Sequence, residues 1–525
     1  MLIGLKLDKN SCILGIAHPI AKMNHNRQKK QREFPIVLVL IILFMAVLGA
    51  RLFLALQTSE FSDDQSYFAL RQIEAIKETK HPLYNDSLSY GGKLNIFLPL
   101  YYYTIAFFSY FMPIKLALII IPNIFASFSL IIFYLLFFRL TGKKSYSLIA
   151  ALVSSFIPVF FSETIKNVSV NSVLIPLLCF AIYCFLNVGR ERYAIYYIIS
   201  IVLMSLLSST IFILIISFFV YLLLLRLERM KQDKKELELI FFTAFFAIWV
   251  SLLFFKKALL FHGVGFFLQN LPEQIFASFF SDITIPELVY KIGVLPLLAG
   301  ILMIYSTIMS KNRGHLLIVS LSITTALMLW FKVIPLNLGM VFLGIFLSLF
   351  FAEFLKKSFS YLERTKIAGF RWFFYLLLAV FVAFTLIAPS ISYSKSSIEN
   401  IPKKNLIRAL DWLSYNSEEN ATITSILDDG NKISYFSKRR NIMDSNFLLA
   451  DDTSQRYKDI ETIYTTKSEV EAIRLMNKYS SNYLLFSPAI KSKFKVKELD
   501  YVSDQDCFQL LYDKQLQVYK LTCKI

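Results

Sequence analysis

Cysteine is scarce, with five in a chain of 525 residues. That density excludes a disulfide-stapled scaffold, and no Cys-x-x-Cys pair suggests a redox or zinc centre. Cys12, Cys179 and Cys184 fall in the N-terminal tail or in apolar runs, where they read as structural. Cys507 and Cys523 lie in the polar C-terminal region, and a bond between them requires an oxidising compartment. A phosphate-binding P-loop, an HExxH zinc motif, internal repeats and low-complexity tracts are all missing. No apolar run carries a chain of Asp, Glu or Arg, which removes the signature of an ion or proton pathway. The net charge is +18, but no basic stripe with interleaved aromatics marks a nucleic-acid surface, so no nucleic-acid partner is expected. A cleavage site is lacking before the first apolar run. The basic stretch "AKMNHNRQKKQREF" therefore reads as the end of a cytoplasmic tail, residues 1–33, ahead of a signal-anchor helix.

Apolar side chains are abundant. The chain is 56% hydrophobic and 16% aromatic, and the excess is gathered into runs of roughly 17–25 residues, the length of a membrane-spanning helix. Lipid offers no partner for backbone N–H and C=O groups, so these runs must be helices. The first is about Phe34 to Leu56, and its basic flank places the N-terminus inside. Ile96 to Pro113 is short, Tyr-rich and proline-bounded, and reads as an interfacial helix on the outer face. Tyr193–Leu225 is long enough for two short spans with a turn at Ser208–Ser209, and Lys256 to Lys291 reads as an outer segment. The last span is Trp372 to Ile391. About eleven spans result, an odd count, so the C-terminus is expected outside a plasma membrane.

Composition changes near Lys395. Residues 395–525 hold no spanning run. They read as alternating helices and strands, with a buried strand in "SSNYLLFSP" and a terminal hairpin in "FQLLYDKQLQVYKL". The expected architecture is a polytopic α-helical membrane protein of about 11–13 transmembrane helices, residues 34–394, followed by an extracytoplasmic α/β domain.

The first outer loop, within residues 57–113, opens with two adjacent carboxylates, Asp63 and Asp64. Ser62 or Asp63 also suits the N-cap of a helix beginning near Gln65. Tyr67 and Arg71 follow at helical spacing, on one face with the acidic pair above them. Then come "HPLYND", Lys93 and the Pro-Leu-Tyr-Tyr surface helix that contains Tyr101. The second outer loop, "SETIKNVSVN", carries one carboxylate, Glu163, with Lys166 close by. His262 stands in the outer segment and reads as structural. Asn-X-Ser/Thr triplets at Asn85, Asn167 and Asn420 fall in expected outer segments and give that topology weak support.

This combination resembles the first outer loop of the GT-C integral membrane glycosyltransferases. That superfamily includes the protein O-mannosyltransferases, the lipid A aminoarabinose transferases and the oligosaccharyltransferase catalytic subunits. The resemblance carries its acidic motif, aromatic and Arg onto Asp63, Asp64, Tyr67 and Arg71, and its functional Lys onto Lys93. A second resemblance lies in "TSILDDGNKISYFSKRRNIMD". This keeps the frame of the oligosaccharyltransferase WWDYG motif at Ile426, Leu427, Asp428, Asp429 and Gly430, followed by Arg439 or Arg440 and Asp444. Both tryptophans are gone, which argues against transfer to Asn sequons.

The resemblance implies an inverting, metal-optional glycosyltransferase. It would take a sugar from a polyprenyl-phosphate donor and pass it to a protein, lipid or glycan acceptor at the outer membrane face. Asp63 is the expected general base with Asp64 as partner, the reverse assignment remaining open, and Glu163 assists. Tyr67, Arg71, Lys93, Lys166, Tyr101 and His262 form the expected substrate-binding set. Mg2+ or Mn2+ is the expected metal if one is used, with Asp64 and Glu163 as ligands. The rival readings are an oligosaccharyltransferase moving a preassembled glycan with a divalent metal, and a non-enzymatic scaffold or flippase-like membrane protein.

Overall fold

A computed structural model describes residues 36–263, 270–308, 312–366, 368–399, 401–502 and 506–524. The expected N-terminal tail lies outside these residues. The first span is the helix Ile36–Ala55, whose lipid-facing side keeps Val37, Ile41, Met45 and Phe53 exposed. Such residues on a helix surface are stable only in a hydrocarbon solvent. Among the described residues, six helices are long and apolar enough to cross a membrane, and a seventh if the bent pair Ile285–Ile292 and Val294–Ile308 counts as one. The count on length alone falls below the eleven to thirteen expected because several apolar helices are short. Asn171–Phe185 and Ile211–Leu227 are examples. The bend between Ile285–Ile292 and Val294–Ile308 is 104°. Gly293 makes it at φ 93, a conformation that a Cβ would strain.

The two short helices expected within Tyr193–Leu225 are Glu191–Leu207 and Ile211–Leu227, with Ser208–Ser209 at the turn. Lys256 and Lys257 are not in a loop, as expected for the segment starting there. They extend the helix Lys234–His262, because no breaker follows until Gly263 at φ 54. The surface helix after Pro99 is Leu100–Phe108, nine residues and too short to span. Its C-terminal approach exposes Phe107, Tyr110 and Phe111, with Lys80 donating to the Tyr110 hydroxyl at 2.6 Å.

Two small sheets lie outside the helices. β1 (Asn85–Asp86) pairs antiparallel with β2 (Lys93–Leu94) in the first loop. The C-terminal region builds a five-stranded mixed sheet from β3 (Thr422–Thr424), β4 (Arg440–Asn441), β5 (Tyr483–Phe486), β6 (Phe508–Asp513) and β7 (Gln517–Leu521). Its spatial order is β4-β3-β5-β7-β6. β3 runs parallel to β4 and β5, and the terminal hairpin β6–β7 adds antiparallel strands. Alternate residues of β5 face opposite sides, as a strand requires. Tyr483 and Leu485 pack on Ala409, Leu410 and Leu413 of helix Lys404–Asn416. Leu484 and Phe486 pack on Ile460, Tyr464 and Met476 of helices Thr453–Thr465 and Glu469–Lys478. The result is a three-layer α/β/α domain. Cys507 and Cys523 form a disulfide at the base of the hairpin.

Candidate functional site

Helix Asp64–Thr79 begins where Asp63 adopts an extended N-cap backbone, φ −107 and ψ 153. The Asp63 carboxylate accepts from the Ser66 hydroxyl. Because the chain turns into a helix between them, the neighbouring carboxylates part. Asp64 enters the C-terminal domain. Its Oδ2 accepts from the Asn431 backbone N–H at 3.2 Å and from the Asn431 side-chain amide at 2.7 Å. Its Oδ1 accepts from the Lys432 N–H at 3.1 Å. These N–H groups open the helix Gly430–Lys432, which continues as the π-turn Ile433–Ser437, and they have no partner within it. Asp64 therefore caps a helix of another domain. Both its oxygens accept hydrogen bonds from this domain, each with a lone pair to spare. Burial, and then the nearby Asp444 charge, push Asp64 up to about 8 against the opposing pull of Lys432 and Asn431.

The Asp63 charge reaches Glu163. The second outer loop is stitched onto the first: Ser62 donates to Asn167 Oδ1, and the Val168 N–H donates to Ser66 Oγ at 2.9 Å. Glu163 ends the short helix Pro158–Glu163, half-buried, with Asn167 bonded to its carboxylate. Burial and then the Asp63 charge push it up to about 7, opposed by Lys291. Burial also raises Asp63 above the ordinary carboxylate range. Two carboxylates that repel in a partly dry site hold protons more tightly than either would alone. The helix carrying Glu163 is braced from behind by the last span, where Ser397 Oγ lies 3.0 Å from Ser162 Oγ and Ser390 donates to the Phe156 carbonyl at 2.6 Å.

The other expected site residues go elsewhere. Arg71 makes a bidentate pair with Asp86, at 2.9 and 2.6 Å, and is buried there. Tyr67 is fully buried, packs on Tyr435 and Phe436 of the C-terminal domain, and donates to Glu60 at 3.3 Å. Lys93 lies over the Tyr90 ring at 4.1 Å, donates to the Asn446 carbonyl and sits 4.0 Å from Asp444. Burial pulls it down to about 8. Lys166 caps the end of the first span by donating to the carbonyls of Ala55 at 2.8 Å and Thr58 at 2.5 Å. His262 Nε2 lies 2.5 Å from the Leu448 carbonyl oxygen, to which it donates. Tyr101 is buried, and the Asp63 charge reaches its phenol as it reaches that of Tyr67.

Sequence reasoning missed Arg51, Asn123, Thr164, Asn167 and Asn431. Arg51 had a signal, a single guanidinium inside an apolar run. The others are ordinary polar residues whose roles depend on partners far away in sequence.

Beside the site is a cavity of about 570 Å³. Most of its wall is apolar, including Phe212, Leu252 and Leu259, and a polar end is formed by Gln65, Asn95, Ser445 and Asn446. Gln65 follows Asp64 and donates to Asn446 Oδ1 at 3.3 Å, so the polar end adjoins the acidic helix start. Lys256 and Lys257 are exposed on the helix whose Phe255 and Leu259 line the cavity. Among the described residues, no cluster of three His, Cys, Asp or Glu side chains is placed to hold a metal.

No protein-family model matches the chain, and no curated protein does. Solved structures match its fold. The Archaeoglobus fulgidus oligosaccharyltransferase, crystallised with a tethered acceptor peptide containing the NVT sequon, superposes with a TM-score of 0.70 at 16% identity, covering 87% of this chain and 69% of that one. The archaeal oligosaccharyltransferase AglB from the same organism, in complex with an inhibitory peptide and a dolichol-phosphate, gives 0.65 at 15% identity over 84% and 69%. ArnT from Cupriavidus metallidurans bound to undecaprenyl phosphate gives 0.54 at 10% identity over 91% and 97%.

Proposed function

We propose that this chain, a multi-pass membrane protein with the fold of the GT-C glycosyltransferases, transfers a sugar from a polyprenyl-phosphate donor to an acceptor at the outer face of the membrane. The observation that carries this reading is the joining of the two outer loops, Ser62 to Asn167 and Val168 to Ser66, which gathers the Asp63 and Glu163 segments at the outer end of the first span beside an apolar-walled cavity. In this reading the N-terminus is cytoplasmic, the C-terminal domain faces outward, and the membrane is the plasma membrane.

Asp63 is the base. Burial raises its proton affinity, which suits a group that must take a proton from an acceptor hydroxyl or amide near neutral pH. As that proton moves to Asp63, the acceptor atom bonds to the anomeric carbon from the face opposite the phosphate. The carbon–oxygen bond to phosphate breaks with its electron pair on the lipid phosphate, and the sugar inverts. Glu163 orients the acceptor together with Asn167. Lys291 is the best-placed cation for the leaving phosphate, because its charge reaches Glu163 and it stands between Glu287, at 2.7 Å, and Asn337, at 2.6 Å. The cavity takes the first isoprene units, as lipid phosphates are bound by the ArnT and AglB of the comparison structures.

Asp64 and Glu163 are the carboxylates that would hold Mg2+ or Mn2+, completed by substrate phosphate and water, which leaves Asp63 to act as base. Such an ion would supply positive charge to the departing phosphate. The acceptor remains a protein, a lipid or a glycan, and the loss of both tryptophans from the Ile426–Gly430 frame weighs against Asn sequons.

The test uses the full chain in vesicles with undecaprenyl-phosphate hexoses. Release of undecaprenyl phosphate and labelling of peptide, lipid or glycan acceptors are followed with and without EDTA. Acceptor-dependent release supports the reading. EDTA-resistant transfer removes the metal from it. No release with any donor and acceptor class overturns it.

A further inference from the structure

We propose that Arg51 is the residue that positions Glu163 against Asp63, an inference that rests on the glycosyltransferase reading above for its catalytic meaning. Arg51 lies in the first span with no exposed surface, and among the described residues it has no ion-pair partner. A guanidinium held in that setting is costly, and it marks a functional constraint more often than a stabilising one.

Its contacts converge on one short segment. Nε donates to Asn123 Oδ1 at 3.2 Å, and Nη2 donates to Thr164 Oγ1. The guanidinium carbon lies 5.6 Å from the Phe160 ring centroid and 4.8 Å from that of Phe161. Asn123 passes the grip on, since its side-chain amide donates to the Ile165 carbonyl at 3.1 Å. Phe160, Phe161, Thr164 and Ile165 are thus all held, directly or through Asn123. Glu163 sits among them in sequence, and its carboxylate is hydrogen-bonded to Asn167. Lys166 adds a second tie between the same two segments through the Ala55 and Thr58 carbonyls. The first span therefore carries Asp63 on its exit and, through Arg51, fixes the place of Glu163. Nη1 is buried without a partner, so even this grip leaves one donor unused.

A residue that only packs would change stability alone. One that positions Glu163 would also lower turnover while leaving donor binding alone, because a displaced group loses its place against the reacting atoms. The experiment uses Arg51→Gln in the full chain, checked for folding by size exclusion in detergent and by thermal unfolding. Expected is a kcat loss of roughly 10–100-fold with little change in donor KM. A readout independent of activity is disulfide trapping between Ser62→Cys and Asn167→Cys, which should form more slowly once Arg51 is Gln. An unchanged kcat together with unchanged trapping overturns the proposal. If the wild type transfers no sugar, the functional reading falls, and the trapping rate alone decides whether Arg51 holds the loop. If Arg51→Gln does not fold, Thr164→Val removes one acceptor of the same grip and is read by the same criteria.

Discussion

Asp64 and Asn431 are 367 residues apart and share two hydrogen bonds, one to the Asn431 backbone and one to its side chain. That contact ties the start of the first outer loop to the C-terminal domain. Asp64→Ala would leave the buried N–H groups of Asn431 and Lys432 without an acceptor. The expected cost is on the order of 1–3 kcal/mol, read as a lower thermal midpoint and as faster proteolysis between residues 400 and 450. An unchanged midpoint would mean that the cap carries no load.

Asp63→Asn should leave the fold intact and stop the chemistry. The amide cannot take the acceptor proton, so kcat should fall by roughly 10²–10⁴-fold, with the thermal midpoint close to the wild type. A variant that folds and still transfers at the wild-type rate would remove Asp63 from the role of base.

Arg71 and Asp86 form a buried ion pair at 2.6 Å. Removing one partner strands a charge and typically costs about 3–5 kcal/mol. Asp86→Asn should therefore destabilise the first loop strongly. Activity per folded molecule, measured well below the midpoint, should stay near normal, because neither residue belongs to the reacting group. A specific loss of donor binding at full folding would return Arg71 to the substrate site.

Glu163 gives a pH dependence whose sign can be worked out. Burial and the Asp63 charge push it up to about 7 from an ordinary 4.5, so between those values the folded chain binds more proton than the unfolded chain. Its contribution to stability is full below that window and is lost as pH rises through it. The difference in thermal midpoint between wild type and Glu163→Gln should shrink or reverse from pH 4.5 to 7. A flat difference would place Glu163 in water, away from Asp63.

Much of this was legible in the amino-acid order. The acidic start of the first loop, the surface helix after Pro99, the β5 strand and the terminal hairpin all follow from local patterns. Gly430 was legible as part of a frame, and the reason is close approach: a Cβ there would lie 2.2 Å from the Met443 carbonyl oxygen. What periodicity could not supply was which of two adjacent carboxylates turns inward. That depends on the N–H groups of Asn431 and Lys432, which leave no trace near Asp64. The partners of Lys93 and Arg71 were hidden for the same reason, because a cation looks the same in sequence whatever it faces, and here Asp444 and Asp86 stand beside them. Asn123 and Thr164 carry no distinguishing signal, and the cap and triplet patterns at Ser62 and Asn167 say nothing of their bond to each other.

The β4 strand stands at the end of the C-terminal sheet, and the first outer loop covers it. The Asn441 N–H donates to the Leu88 carbonyl at 2.9 Å, and the Tyr90 N–H donates to Asn441 Oδ1 at 3.0 Å. A bare sheet edge invites pairing with other chains, so this cover matters before the protein is finished. The ribosome makes the loop first and its partners 367 residues later, a delay of roughly 20–70 seconds at ordinary synthesis rates. During that interval the carboxylates exist but their enclosure does not. Until those residues emerge, Asp64 has no helix to cap and the loop has no sheet edge to cover, so the two halves of this contact must find each other after the membrane helices are made.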